Sequence, residues 1–164
     1  MFVVQVAPIC QRGGLSVSAD TTTSTETTTA RPECPHGWET YLDTNANVKY
    51  FRYSEDTVYA TNAEGNCVNL GGHLASIHSA DEQNFLMQTF NPSEDVWIGA
   101  VDTDHNRVWQ WTDGSPFDFS YWLSDQPDGG QYHTVMDCDG SAFGKWRDLG
   151  YSDDRFHYIC QLDL

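Results

Sequence analysis

The side chains best suited to binding a ligand are concentrated in residues 113–131, a stretch rich in Gly, Pro, Ser and Asp with little hydrophobic periodicity. A loop of that length inside a compact domain is usually functional or held by a ligand. Near its end stands Gln126-Pro127-Asp128, hereafter the Gln126–Asp128 segment. This segment is either part of a ligand site or a solvated acidic turn. A hydrolase would need a cooperating pair of carboxylates. Nothing here indicates such a pair, so we expect a binding module and not an enzyme.

The cysteines and histidines do not have the spacing of a metal or redox centre. No two cysteines form a Cys-x-x-Cys pair, and no His-Glu-x-x-His motif is present. Wide cysteine spacing in a small acidic chain instead favours long-range disulfides, an oxidising compartment and therefore secretion. Because the number of cysteines is odd, at least one thiol is left without an intramolecular disulfide partner. The five residues are Cys10, Cys34, Cys67, Cys138 and Cys160.

The charge balance excludes several classes of partner. The 164-residue chain carries 24 acidic and 8 basic side chains, for a formal net charge of −16. Nucleic acid and anionic membrane surfaces would be repelled by that charge. No run of the sequence approaches the roughly 18 apolar residues of a membrane-spanning helix.

The chain divides into an N-terminal tail, residues 1–33, and one domain, residues 34–164. Residues 16–33 contain seven Thr and three Ser, and so little apolar surface cannot offset the entropy of ordering them. This segment is either an O-glycosylated stalk or an unmodified flexible linker. The first ten residues are apolar but lack the basic region of a signal peptide.

Two helices and five strands are predicted in the domain. Ser54 would cap a first helix, which Gly71-Gly72 would end. A capping box at Ser79–Glu82 begins a second helix, which ends near Asn91. The buried faces are predicted to hold Tyr59, Ala63, Cys67 and Leu70 in the first helix, and Phe85, Leu86 and Phe90 in the second. The predicted strands are residues 50–53, 96–101, 108–111, 134–138 and 156–161.

Six short segments fall in the order and approximate spacing of a C-type lectin-like domain, and the domain resembles that family. The most specific are Gly71-Gly72-His73-Leu74-Ala75 and Trp97-Ile98-Gly99-Ala100. The other four are Cys34–Trp38, Gln126–Asp128, Trp146–Asp148 and Tyr158–Cys160. The resemblance implies an α+β fold with two helices, two small antiparallel sheets and a long ligand-binding loop. It also implies a disulfide between Cys67 and Cys160.

The resemblance further implies a ligand site at the Gln126–Asp128 segment. In lectins of this family the matching tripeptide contains a cis proline and presents two side-chain oxygens to Ca²⁺, and the ion binds vicinal sugar hydroxyls. The Gln…Asp version is associated with galactose-type ligands. Asp148 matches another ligand of this ion, whereas Met136 and Arg147 stand in place of two more. Since Ca²⁺ takes roughly six to eight oxygens, calcium-dependent and calcium-independent binding are both left open.

Further residues complete the site that the resemblance implies. A guanidinium can satisfy carboxylates in place of a metal, so we predict that Arg147 pairs with Asp128 or Asp148. An auxiliary calcium site would use Asp102 and Asp137. The segment in which galactose-type lectins place an aromatic ring against the sugar contains, in this chain, Tyr132 and His133.

Two functions therefore compete. The first is an extracellular carbohydrate-binding lectin of galactose type with a glycan or glycoprotein ligand, supported by the Gln126–Asp128 segment and Asp148. The alternative is a calcium-independent module that binds a protein or another non-sugar ligand through the same loop. Met136 and Arg147 support this second function.

Overall fold

The computed structural model describes residues 36–129, 132–138, 140–150 and 154–163. The predicted tail, the boundary at residue 34, Cys10 and Cys34 lie outside these residues. In the ranges described, none of the helices has the length and apolar character needed to cross a membrane.

The described residues form the predicted α+β fold, with helices packed against a mixed sheet. The elements in chain order are β1 (Glu39–Leu42), β2 (Val48–Val58), α1 (Ala60–Asn69), β3 (His73–Leu74), α2 (Ala80–Phe90), β4 (Val96–Val101), β5 (Gln110–Trp111), β6 (His133–Met136), β7 (Trp146–Leu149) and β8 (Phe156–Asp163). The strand order is β1-β2-β8-β4-β6-β7, with β3 on β8 and β5 on β4. Where two sheets were expected, a short parallel contact of β4 with β8, Val96–Trp97 against His157–Tyr158, joins the strands into one.

The start of α1 differs from the prediction. Ser54 does not cap a helix, because β2 continues through it and pairs Ser54 with Tyr158 of β8. The helix begins after Tyr59, which makes no side-chain capping hydrogen bond. Ala63 and Cys67 are fully buried as predicted, whereas Leu70 is 43% exposed.

The second helix begins at the predicted cap. The hydroxyl oxygen of Ser79 accepts a hydrogen bond from the backbone N–H of Glu82. The Glu82 carboxylate in turn accepts from the N–H of His78, one residue before the cap, and pairs with Lys49 of β2 at 2.7 Å. A left-handed residue, Asn91, ends the helix. On its buried face, Leu86 is fully enclosed.

Close packing and one covalent bond join the elements around the core. The predicted disulfide is confirmed: Cys67 of α1 is bonded to Cys160 of β8. Gly99 of β4 lies against the chain that leaves β3, and a Cβ added there would be only 2.7 Å from the carbonyl oxygen of Leu74. Such a separation is too short for a side chain, so glycine is required where β4 crosses β3.

The long loop is fixed to the core by its own aromatic residues. Phe119 and Trp122 both meet the fully buried Trp146 ring edge to face, with ring centroids 5.8 Å away in each case. Two backbone hydrogen bonds also tie Tyr121 and Leu123 to Trp146. The loop therefore holds the Gln126–Asp128 segment beside the start of β7.

Candidate functional site

Hydrogen bonds to β7 fix the Gln126–Asp128 segment. The Gln126–Pro127 peptide bond is cis. The side-chain oxygen of Gln126 accepts from the backbone N–H of Asp148 at 3.1 Å. The two carboxylate oxygens of Asp148 accept from the N–H groups of Asp128 at 3.1 Å and Gly129 at 3.2 Å. The structure therefore brings together three predicted site residues, Gln126, Asp128 and Asp148.

Exposure differs among these three residues. Asp148 is only 4% exposed and acts as the internal support. Asp128 is exposed and Gln126 half-buried. A ligand would consequently meet Asp128 and Gln126 first, with Asp148 holding them from behind.

The strand beside β7 supplies Thr134 and not Met136 to this site. Thr134 of β6 is paired directly with Asp148 and is fully buried. Among the described residues its hydroxyl has no hydrogen-bond partner. Met136 is also fully buried, paired with Trp146, and its sulfur accepts from the side-chain amide of Gln83 in α2 at 2.8 Å. Met136 is therefore a core residue.

Arg147 and His133 lie on the other face of the sheet, because successive strand residues point to opposite sides. The predicted pairing of Arg147 with Asp128 or Asp148 is wrong. Its guanidinium pairs instead with Asp95, and its Nε lies 3.8 Å from a carboxylate oxygen of Asp137.

The environment of His133 is largely apolar. This residue is paired with Leu149, and its ring meets the buried Trp97 ring edge-on at 6.3 Å. Burial lowers the pKa of His133 from its usual value of 6.5. The imidazole is thus stabilised in its neutral form and faces away from the Gln126–Asp128 segment.

The proposed auxiliary calcium residues are separated. Asp102 follows the end of β4 that pairs with His133, whereas Asp137 follows the end of β6 that pairs with Val96. The two carboxylates consequently lie at opposite ends of one strand pair. Asp102 has a structural role instead: its two oxygens accept from the backbone N–H groups of Asn106 at 3.1 Å and Arg107 at 2.9 Å.

The turn at Asp102–Arg107 contributes two site residues that the sequence did not reveal. The ring of His105 stacks on Tyr132, with 3.5 Å between centroids and 15° between planes. The guanidinium of Arg107 lies against Gly129, where an added Cβ would be 2.6 Å from its Nη2. His105 and Arg107 both have a positive φ. The one signal in the sequence is the Asp- and Asn-rich composition of the turn, which tolerates left-handed backbone.

The residues present do not supply a full calcium cage. Gln126, Asp128 and Asp148 offer one amide and two carboxylates, against the roughly six to eight oxygens that Ca²⁺ takes. The Asp148 oxygens are already hydrogen-bonded to the backbone. Across the described ranges, no group of three or more His, Cys, Asp or Glu side chains could hold a metal ion.

The family is established by comparison with known proteins. A family model for the lectin C-type domain matches residues 56–162. The chain belongs to this family and is a C-type lectin-like module.

The relatives of this chain carry names that describe different properties. The type-2 ice-structuring protein of Hemitripterus americanus is 38% identical over 120 residues, which are 73% of this chain and 69% of that protein. The galactose-specific lectin nattectin of Thalassophryne nattereri is 34% identical over 103 residues, 60% of this chain and 62% of that protein.

The solved structures similar to this chain likewise include a carbohydrate-recognition domain and an antifreeze protein. The C-type carbohydrate-recognition domain of cow CD23, crystallised in the presence of an oligosaccharide, superposes with a TM-score of 0.68 and 29% identity, covering 80% of this chain and 97% of that one. A calcium-independent type II antifreeze protein superposes with a TM-score of 0.69 and 30% identity, covering 83% and 98%.

Proposed function

We propose that this chain is an extracellular recognition module that binds galactose-type carbohydrate on the surface of the Gln126–Asp128 segment. One observation carries the proposal: Gln126 and Asp128 flank a cis proline, and both are tied to the buried Asp148. The side chain of Gln126 and the backbone of Asp128 are thereby held in one place, while Asp128 stays open to solvent. Partners would be glycans or glycoproteins, and no catalysis is proposed.

The chemistry of these groups suits adjacent sugar hydroxyls. A carboxylate accepts two hydrogen bonds, and a carboxamide both donates and accepts. Hydrogen bonds to a charged group are about twice as strong as neutral ones. The stacked His105–Tyr132 pair lies nearby and offers a ring surface for the apolar side of a sugar. The named specificity of nattectin, a relative with galactose in its description, supports the same ligand class.

Secretion is part of this proposal. The Cys67–Cys160 disulfide supports it, because such bonds persist in oxidising compartments.

The test compares sugar binding by two matched variants. Calorimetry and a glycan array, each run with Ca²⁺ and with EGTA, measure affinity for galactosides. Asp128→Asn removes the exposed charge and should weaken binding by about tenfold, the value of one charge-assisted hydrogen bond. Asp125→Asn is the control: it makes the same charge change in the same loop, at an exposed left-handed position that asparagine accepts. Absence of galactoside binding under both conditions would overturn the proposal.

A second candidate is a calcium-independent module with a non-sugar ligand. It is favoured by Met136, which is buried in the core, and by Arg147, which is paired with Asp95. The similarity to ice-structuring proteins supports it as well. A blank glycan array combined with measurable thermal hysteresis would favour this candidate over the first.

A further inference from the structure

Arg107 lies at the edge of the proposed sugar surface. Its guanidinium covers Gly129, the residue directly after Asp128. A Cβ added to Gly129 would lie 2.6 Å from one guanidinium nitrogen, which shows how closely the two residues approach. Arg107 is therefore placed next to any ligand held by the Gln126–Asp128 segment.

This guanidinium is not engaged by the protein. In the described part of the chain, Arg107 has no side-chain hydrogen bond, ion pair or ring contact. Four other cationic side chains do have partners: Lys49 with Glu82, Arg147 with Asp95, Lys145 over the Tyr121 ring and Arg155 over the Tyr59 ring. Arg52 is the other described cationic side chain without such a partner, but it lines a separate cavity between β2 and α1, so Arg107 is the one beside the proposed sugar surface. Its N–H donors remain available to an anion.

The backbone holds Arg107 in place at some energetic cost. Its φ is +66°, a conformation that residues other than glycine seldom adopt. The Asp102 carboxylate accepts the N–H of Arg107 at 2.9 Å, and the side-chain oxygen of Asn106 accepts that of Val108 at 2.8 Å. Strained residues of this kind persist where the surroundings fix them, and they cluster at ligand sites.

We propose that Arg107 forms an anion subsite beside the sugar surface, so that the preferred ligand is a galactoside with an acidic substituent. A sulfate or carboxylate next to the bound sugar can receive two parallel N–H···O hydrogen bonds from the planar guanidinium. Asp128 binds hydroxyls, and Arg107 binds the anion. This inference rests on the proposed function, because the sugar positions the anion.

The experiment measures affinities of the full chain for four probes. These are lactose, a galactoside sulfated on the galactose ring, a sialylated lactose and a sulfated mannoside. The variants are Arg107→Gln, which removes the charge, and Arg107→Lys, which keeps the charge but loses the bidentate geometry. Both accept the left-handed backbone as well as arginine does. Arg52→Gln is the control, since Arg52 is exposed and lines a separate cavity between β2 and α1.

Wild type should bind at least one acidic galactoside about tenfold more tightly than lactose, and this preference should weaken with added salt. Arg107→Gln should abolish this preference, measured as the ratio of the two affinities in the same variant, and Arg107→Lys should lie between. Arg52→Gln should behave as wild type. Comparison of the affinities for the sulfated galactoside and the sialylated lactose identifies whether the subsite accepts a sulfate or a carboxylate.

The alternative outcomes separate the two proposals. If lactose binds but acidic galactosides bind no better, or if Arg107→Gln keeps the preference, the anion subsite is wrong and the proposed function stands. If only the sulfated mannoside binds, and does so through Arg107, the anion subsite stands and the galactose assignment fails. If none of the four probes binds, both are wrong.

Discussion

Arg147 and Asp148 are neighbours in the sequence, yet they belong to different surfaces. Asp148 supports the Gln126–Asp128 segment, while Arg147 pairs with Asp95 across the sheet. Alternation along β6 separates Thr134, which is paired with Asp148, from His133 in the same way. The role of each residue follows from the strand face on which it lies.

A carboxylate at position 136 should destabilise the fold and should not create a metal ligand. Met136 is fully buried against Gln83, so Met136→Glu would place an unpaired charge in the core. We expect the free energy of unfolding to fall by about 3–5 kcal/mol, measured by urea denaturation. Met136→Leu is the control and should cost less than about 1.5 kcal/mol. A stable glutamate variant with gained calcium affinity would contradict this placement.

The half-buried His133 should make stability depend on pH. Burial lowers its pKa, so the unfolded chain binds the proton more tightly than the folded chain. This contribution is complete above the unfolded pKa of about 6.5 and is lost as the pH falls through the lower folded pKa. Denaturation midpoints between about pH 7.5 and 5 should therefore decline less steeply in His133→Gln than in wild type. Equal slopes in the two proteins would refute the assignment.

Element boundaries that depend on adjacent residues could be predicted from the sequence. Boundaries that depend on pairing between distant strands could not. The start of α2 was predictable because the Ser79–Glu82 cap is formed by adjacent residues. The start of α1 was not, because β8 extends β2 through Ser54. β7 has only four residues, too few to show periodicity.

The candidate site likewise contains residues that could be predicted from the sequence and residues that could not. Gln126, Asp128 and Asp148 could be predicted from a motif, and their hydrogen bonds bring them together. His105 and Arg107 could not, since a turn defined only by its folded conformation brings them to Tyr132 and Gly129.

The Asp102–Arg107 turn should depend on the Asp102 carboxylate. Asp102→Ala removes the acceptor of two backbone N–H groups, in a place where only 4% of the residue is exposed. Stability should fall by about 1–3 kcal/mol, and hydrogen exchange at Asn106 and Arg107 should accelerate. Asp104→Ala is the control, because Asp104 is exposed in the same turn. Unchanged hydrogen exchange in Asp102→Ala would show that the turn keeps its conformation without this carboxylate.

For the molecule as a whole, the Cys67–Cys160 disulfide should provide a large share of stability. The two residues are 93 apart in sequence, so the bond restricts much of the unfolded chain. Chain-entropy arguments assign about 4–5 kcal/mol to a loop of this length. Replacing both cysteines with alanine leaves no new thiol and should lower the free energy of unfolding by that amount in urea. A loss below about 1 kcal/mol would show that the unfolded chain is already restricted without the bond.

Gly99 has a consequence for heritable variation. Every amino-acid change that one base substitution can make in a glycine codon adds a Cβ, and at this point that atom would lie 2.7 Å from the Leu74 carbonyl oxygen. Mutations here should therefore be eliminated by selection. The Asp102–Arg107 turn, a few residues later, exposes the side chains of His105 and Arg107 to solvent. Descendants of this gene can thus acquire a new ligand by changing those exposed residues while the strand that carries them stays fixed.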